Sequence, residues 1–268
     1  MTKDNIFDLS GKTALITGAS RGLGRAFAIA MAQYGADVAC VGRDTDKLAE
    51  TLEILAEYKH RAIAIKADVT DEAEIKKMVA DAVKRLGKID IFFNNAGIAR
   101  MPRPIHETPT EEWDAVINTN LRGAFLSLKH VLGAMVKQKS GSIINISSIA
   151  GLRAEWPEVA PAAYGAAKAG IILLTQVAAM EYAKDNIRVN CIAPGMHKSE
   201  LGHNNPGPKL NLEEMEKGIA KYCADEIPMG RIAEASELAG LAILLASDAS
   251  SYITGQVFVE DGGQSARL

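Results

Sequence analysis

KTALITGASRGLG, residues 12–24, decides how the rest of the chain is read. A short apolar run, Ala14-Leu15-Ile16, passes directly into a turn with glycine at 18, 22 and 24, and a helix begins near Arg25. Glycine at a strand-to-helix turn permits positive φ and lets a pyrophosphate approach the backbone closely. The N-terminus of the following helix offers open amide groups and partial positive charge to that anion. Three glycines alone also fit a plain turn. Their spacing is G-x-x-x-G-x-G, not the G-x-G-x-x-G of the usual dinucleotide fingerprint. The surrounding pattern has to decide.

Outward from this turn the chain alternates. Runs rich in Val, Ile and Ala lie at 12–19, 36–43, 61–69, 89–97, 141–148, 187–195 and 255–263. Amphipathic stretches separate them, as in DTDKLAETLEILAEYK, where Leu48, Leu52 and Leu55 recur at spacings of four and three. Continuously apolar strands separated by helices imply a parallel sheet covered on both faces. The expected fold is therefore α/β: a single-domain, doubly wound (Rossmann-type) sheet of seven parallel strands with helices on both faces. No repeat or linker divides residues 1–268. Open sheets of this kind bind ligands at the carboxyl ends of their strands, so polar residues there are the candidates.

Composition narrows the function. With 48% hydrophobic residues, 24% charged residues and a net charge of −3, there is no electrostatic case for nucleic acid or an anionic membrane. MTKDNIFDLSGK has no apolar core of signal-peptide length, and oily stretches such as AGLAILLA fall far short of a bilayer span. Cys40, Cys191 and Cys223 are odd in number and far apart, which argues against a disulfide framework or a zinc site. A reduced, cytoplasmic protein without a bound metal is expected.

PAAYGAAKAG, residues 161–170, places Tyr164 and Lys168 four apart among small residues. On a helix that spacing puts both on one face. An ammonium beside a phenol favours the phenolate, and an unperturbed phenol, with pKa near 10, is otherwise a poor base at neutrality. The alanines and glycine are read as giving cofactor and substrate access to this pair. A chance surface Tyr–Lys pair is the plain alternative.

Taken in order, TGASRGLG, NNAG (94–97), NISS (145–148), YGAAK (164–168), PG (194–195) and VEDGG (259–263) resemble the landmarks of the short-chain dehydrogenase/reductase family, over residues 10 to 263. The resemblance implies a nicotinamide cofactor held by Gly18, Ser20, Arg21, Gly22, Leu23 and Gly24. It implies catalysis by Tyr164 as acid/base and by Lys168, which also binds ribose. Ser148 would hold the substrate oxygen, and Asn120 would hold a water in a relay toward Lys168. Ser147 and Asn118 are the competing neighbours of Ser148 and Asn120. Asp68 would bond the adenine amino group and Val69 line its edge, although Asp68 also fits a helix cap. Asn94, Asn95, Ala96 and Gly97 would form part of the cofactor wall, with Asn94 and Gly97 partly structural. Pro194, Gly195 and Ser199 would flank the nicotinamide end, and Ile192 would offer backbone groups to the carboxamide.

The end of the second strand reads the adenosine ribose in such sheets: an acid takes the 2′-hydroxyl, an arginine accommodates a 2′-phosphate. Here Gly42 stands where an acid would, Arg43 follows, and Arg21 approaches from the glycine turn. Asp44 fits a helix N-cap better than a ribose ligand. NADP(H) is preferred on this reading, with NAD(H) possible.

From Ser148 to Tyr164 is sixteen residues, longer than usual for the family, and Pro157 and Pro161 make the excess a loop. Glu155 and Trp156 would border the substrate pocket or form an ordinary exposed loop. Residues 196–228 are polar and interrupted by Pro and Gly, as in a substrate lid. His197 and His203 within it read as solvent-facing in preference to substrate-touching.

The expected function is an NADP(H)-dependent oxidoreductase interconverting a secondary alcohol and a ketone. A sugar acid, a polyol or another small hydroxy compound would be its substrate; a 3-oxoacyl thioester, a steroid or a cyclic ketone are the alternatives. A non-catalytic NADPH-sensing regulator is the competing class, against which intact Ser148, Tyr164 and Lys168 argue. The resemblance further implies a homotetramer assembled through the helices of 111–138 and 161–185 and the C-terminal segment.

Overall fold

The structure is a computed structural model that describes residues 5–154, 161–199 and 212–266. Among the described residues seven strands appear in chain order: β1 Thr13–Thr17, β2 Asp37–Gly42, β3 Ala62–Lys66, β4 Ile91–Asn94, β5 Gly141–Ile146, β6 Ile187–Pro194 and β7 Val257–Glu260. All pair in parallel, in the order β3-β2-β1-β4-β5-β6-β7. The doubly wound sheet expected from the alternating apolar runs is the one observed. Its order reverses between β1 and β4, which opens a crevice above their carboxyl ends.

Alternation along each strand divides the core into two layers. On one face Phe93 stacks on Phe27 of α1 (Gly22–Gln33), ring centroids 4.8 Å apart, with Ile16, Met31 and Leu245 in the same cluster. On the other, Leu15 and Phe92 meet Ile75 and Met78 of α3 (Glu72–Leu86) and Val131 and Met135 of α5 (Gly123–Gln138). Neighbouring residues thus serve opposite layers, as a sheet buried on both sides requires.

Three local features position the site. Helix α2 (Thr45–Leu55) is N-capped by Asp44, which accepts from the Lys47 amide at 3.1 Å. Helix α4 (Thr110–Val116) runs into α5 through a π-turn at Ile117–Arg122, the kind of bulge that helices tolerate mostly at functional sites. Helix α6 (Ala162–Tyr182) follows the β5 loop and packs on β6. With its extension to Asp185, α6 is long and apolar enough to cross a bilayer, which the sequence reading did not anticipate. Here it serves as a layer of the sandwich, with Lys168 and Thr175 on its buried side. Helix α7 (Leu212–Glu226) and α8 (Ala239–Ala246) precede β7.

Candidate active site

A cleft of about 710 Å³ lies over the carboxyl ends of the central strands. Its floor is the glycine turn. Gly18 has φ +70°, and a Cβ there would stand 2.9 Å from Asn95 Nδ2; a Cβ on Gly24 would stand 2.2 Å from the Gly18 carbonyl oxygen. Only glycine lets these segments touch. Arg21, the N-cap of α1, offers no side-chain bond to the first turn, and that turn contains no acidic residue. Its amides are therefore directed at the cleft without a local carboxylate to compete, the arrangement an anion needs.

Asn95 spends its side chain on the same turn, donating to the Thr17 carbonyl at 2.9 Å, while Thr17 Oγ1 accepts from the amides of Asn95 and Ala96 at 3.0 and 3.1 Å. Asn95, Ala96 and Gly97 line the cleft. Asn94 does not; it is buried and donates to the Ala124 carbonyl and to Asn145 Oδ1, each at 3.0 Å. Its role is structural.

At the far end of the cleft Gly42, Arg43, Asp44, Asp68, Val69 and Arg21 come together. Arg43 Nη1 is 3.5 Å from Asp68 Oδ2, and Arg21 Nη2 is 3.6 Å from Asp44 Oδ2. Asp68 Oδ1 also accepts from the amide and hydroxyl of Thr70 at 2.9 and 2.8 Å. Partial burial pushes the Asp68 carboxyl up, but the Thr70 bonds and the Arg43 charge outweigh it and hold the group below the usual range. Asp68 thus lines the cleft and shapes the turn at Thr70, but it is not the helix cap that the sequence also allowed; Asp71 caps α3, accepting from the Ala73 and Glu74 amides.

At the near end stand Ser148, Tyr164 and Lys168. Lys168 Nζ lies 5.3 Å from the centre of the Tyr164 ring and donates to the Ile146 carbonyl at 2.8 Å. Burial pushes this ammonium down to about 8, opposed by the neighbouring Cys191 thiol. Ser147 turns into the protein and donates to the Lys168 carbonyl at 2.8 Å. Ser148 Oγ accepts from the Ala150 amide at 3.2 Å, which leaves its proton for a ligand in the cleft. The small residues around the pair serve packing more than access. Ala163 and Ala167 are buried and outside the cleft lining, and a Cβ on Gly165 would lie 3.0 Å from the Ala150 carbonyl oxygen.

Other expectations need correction. Asn120 sits in the π-turn, fully buried and outside the cleft lining. Its Oδ1 accepts from the Ile98 amide at 2.7 Å and its Nδ2 donates to the Ile98 carbonyl at 2.8 Å, so the side chain is a clamp on the loop after β4, and a water held by this residue would have to be held through its backbone. Asn118 pairs with Arg122 at 3.3 Å. The Ile192 carbonyl accepts from the Ser147 amide at 2.8 Å within the sheet, and the residue is fully buried and outside the cleft lining. Pro194, Gly195 and Ser199 do line the cleft.

His197 is the residue the sequence misjudged. Its ring is 2% exposed and forms part of the cleft wall, with Nδ1 3.1 Å from the Gly195 carbonyl and Nε2 3.4 Å from Glu260 Oε1. A parallel bridge to Ala233 seats it there. That partner is thirty-six positions on, too distant for periodicity to disclose. His203, Glu155, Trp156 and Pro157 lie outside the described residues. Of the expected lid, 200–211 also lie outside them, while α7 is described. Among the described residues no cluster of three or more His, Cys, Asp or Glu could hold a metal.

Known proteins resemble this chain in sequence and fold over nearly its whole length. A family model described as enoyl-(acyl carrier protein) reductase matches residues 18–265. The chain is 37% identical to 3-oxoacyl-(acyl-carrier-protein) reductase FabG of Thermotoga maritima, over 95% of this chain and 98% of that one. A short-chain type dehydrogenase/reductase of Mycobacterium marinum superposes with TM-score 0.89 at 37% identity, covering 98% of each chain. A gluconate 5-dehydrogenase of Burkholderia cenocepacia, solved with NADP and tartrate, superposes with TM-score 0.88 at 31% identity, again over 98% of each.

Proposed function

The chain belongs to the short-chain dehydrogenase/reductase family and is an NAD(P)-dependent oxidoreductase, and from that premise we propose that it interconverts a secondary alcohol and a ketone with NADP(H). The observation that carries the reading is the grouping of Tyr164, Lys168 and Ser148 in one cleft, with the Lys168 ammonium 5.3 Å from the phenol ring. The dinucleotide, when bound, supplies or accepts the hydride. The remaining steps belong to the chain.

Ser148 donates its hydroxyl proton to the substrate oxygen and orients it. Tyr164 passes a proton to that oxygen during reduction and takes one during oxidation. Lys168 holds positive charge beside the phenol, which favours its ionised form. The bond to the Ile146 carbonyl fixes the ammonium in place. Asn120 keeps Ile98, and with it the cleft wall, in register. The phosphates fit the glycine turn, which lines the cleft and whose compact form depends on Gly18 and Gly24, where a Cβ would collide with Asn95 and with the Gly18 carbonyl. Arg21 and Arg43 flank the position of a 2′-phosphate, and no acid occupies position 42, which together favour NADP(H).

A small hydroxy compound such as a sugar acid or polyol suits the polar wall of Arg100, Thr119, Ser148 and Ser199, and the Burkholderia neighbour was solved with tartrate. The outward faces of α5 and α6 expose Phe125, Leu173, Val177 and Met180, which supports self-association as a tetramer. All three thiols are buried and unpaired, consistent with a reducing cytoplasm. The decisive experiment is a panel of ketones, oxo acids and alcohols assayed with NADP(H) and NAD(H). NADPH-dependent turnover supports the proposal; tight NADPH binding without turnover across the panel overturns it in favour of a sensor.

A further inference from the structure

Arg25 stands in the first turn of α1, just beyond the glycine turn, and is not part of the cleft lining; its side chain meets α2 instead. Its Nε donates to Thr51 Oγ1 at 2.9 Å, and its Nη2 donates to the Ser20 carbonyl at 2.6 Å, to the Lys47 carbonyl at 3.3 Å and to Glu50 Oε2 at 3.1 Å. Thr51, fully buried in α2, places its hydroxyl 3.1 Å from the Ala19 carbonyl oxygen and equally 3.1 Å from the Lys47 carbonyl oxygen of its own helix, so its one proton is shared between the turn and α2. Two successive carbonyls of the turn, those of Ala19 and Ser20, are therefore held toward α2.

A trans peptide carries its N–H opposite its C=O. Drawing these carbonyls into the protein turns the amides of Ser20 and Arg21 the other way, toward the cleft that both residues line. The same contacts tie the turn to α2, whose N-terminal approach carries Arg43 and Asp44. Glu50 balances the Arg25 charge, so the guanidinium acts on a bound anion through geometry and not through its own field.

We propose that Arg25, braced by Thr51 and Glu50, is a positioning residue for the dinucleotide phosphates: it sets the direction of the turn's amides and locks the turn to the segment that carries Arg43. The proposal rests on the reading of the cleft as an NADP(H) site.

The test is titration of NADPH by its fluorescence into the full-length protein and its variants, at several ionic strengths. Arg25→Met and Thr51→Val are each expected to raise the NADPH Kd about tenfold or more, while Thr51→Ser, which keeps the hydroxyl, stays within about threefold of the parent. The slope of log Kd against log salt should be unchanged by Arg25→Met and reduced by Arg43→Ala, since Arg43 lines the cleft and Arg25 does not. Ser142→Ala, which deletes a buried bond to the Leu245 carbonyl far from the cleft, is the control for general destabilisation and should leave the Kd alone. If Arg25→Met does not fold, the Thr51→Val and Thr51→Ser pair decides. Kd values within about twofold of the parent in folded Arg25→Met or Thr51→Val overturn the brace. A parent protein that binds neither NADPH nor NADH overturns the underlying cleft reading instead.

Discussion

Gly42→Asp is expected to reverse the choice between NADP(H) and NAD(H). Gly42 ends β2, and a Cβ built there meets Ser20 Cβ, Ser20 Oγ and Leu48 Cδ2 at 3.6 Å each, which is ordinary contact. The side chain therefore enters without moving the backbone, and Gly42→Ala should be close to neutral. An aspartate at this point places a carboxylate among Arg21, Arg43 and Asp68, where the 2′-phosphate of NADP would sit. Two unit charges about 5 Å apart at an effective dielectric of about 20 repel by about 3 kcal/mol. The same carboxylate can accept the 2′-hydroxyl of NAD, a charged hydrogen bond worth about 1.5–3 kcal/mol. Allowing for screening by the two arginines and by solvent, the ratio of kcat/KM with NADPH to that with NADH should fall by about two to three orders of magnitude. The measurement is initial rates with both reduced cofactors at a fixed carbonyl concentration. A ratio within about threefold of the parent, in a variant with the parent Tm, would refute the assignment of this end of the cleft to the ribose.

Tyr164→Phe should reduce turnover by about two to four orders of magnitude while NADPH affinity stays within about threefold, as read by steady-state rates and fluorescence titration. Lys168 gives a pH signature. Its folded value of about 8 lies below the ordinary 10.5, so between those values the unfolded chain binds the extra proton and stability rises with pH. Urea unfolding of the parent should therefore gain up to about 3 kcal/mol on Lys168→Met from pH 8 to pH 10.5, and a flat difference counts against the buried ammonium. Arg188 closes the C-terminus of α8, donating to Ser250 Oγ at 2.6 Å and to the Leu245 and Ser247 carbonyls at 2.9 and 3.1 Å. Arg188→Met should cost about 3 kcal/mol in urea unfolding and leave NADPH affinity unchanged, because it removes the hydrogen bonds of a charged, part-buried guanidinium remote from the cleft.

The strands and the glycine turn were legible because each is local. An apolar run declares a buried strand by itself, and Gly18 and Gly24 carry their steric reason wherever they occur. Tyr164 and Lys168 were legible because four residues on a helix is a distance that the sequence states directly. What escaped depends on register between distant segments. Asn94 faces Asn145 only because β4 and β5 pair at that offset, and Asn145 Nδ2 then reaches Thr175 Oγ1 at 2.9 Å on α6. His197 read as a solvent residue because its polar neighbours in sequence suggested a loop. The bridge to Ala233 and the carboxylate of Glu260 remove it from water. Asn120 matched a motif, yet its use as a backbone clamp follows from a π-turn that no periodicity announces.

Related contacts hold Lys168, the proposed partner of Tyr164, in place before any ligand arrives. Lys168 is anchored through Nζ to β5 and through its own carbonyl to Ser147, so both ends of the residue are tied to the strand that delivers Ser148. The row from Asn94 through Asn145 to Thr175 joins β4, β5 and α6 beneath that anchor, all of it buried and mutually satisfied. Asn120 then fixes Ile98 at the end of the loop from β4, and the space left by Gly97 brings that loop to within 3.8 Å, counted from a Cβ built at Gly97, of Lys168 Nζ. A buried polar network of this kind stabilises little per bond, but it permits few alternative arrangements. The position of the Lys168 ammonium is thus established by folding, so on the proposed mechanism binding of dinucleotide and substrate need not supply it.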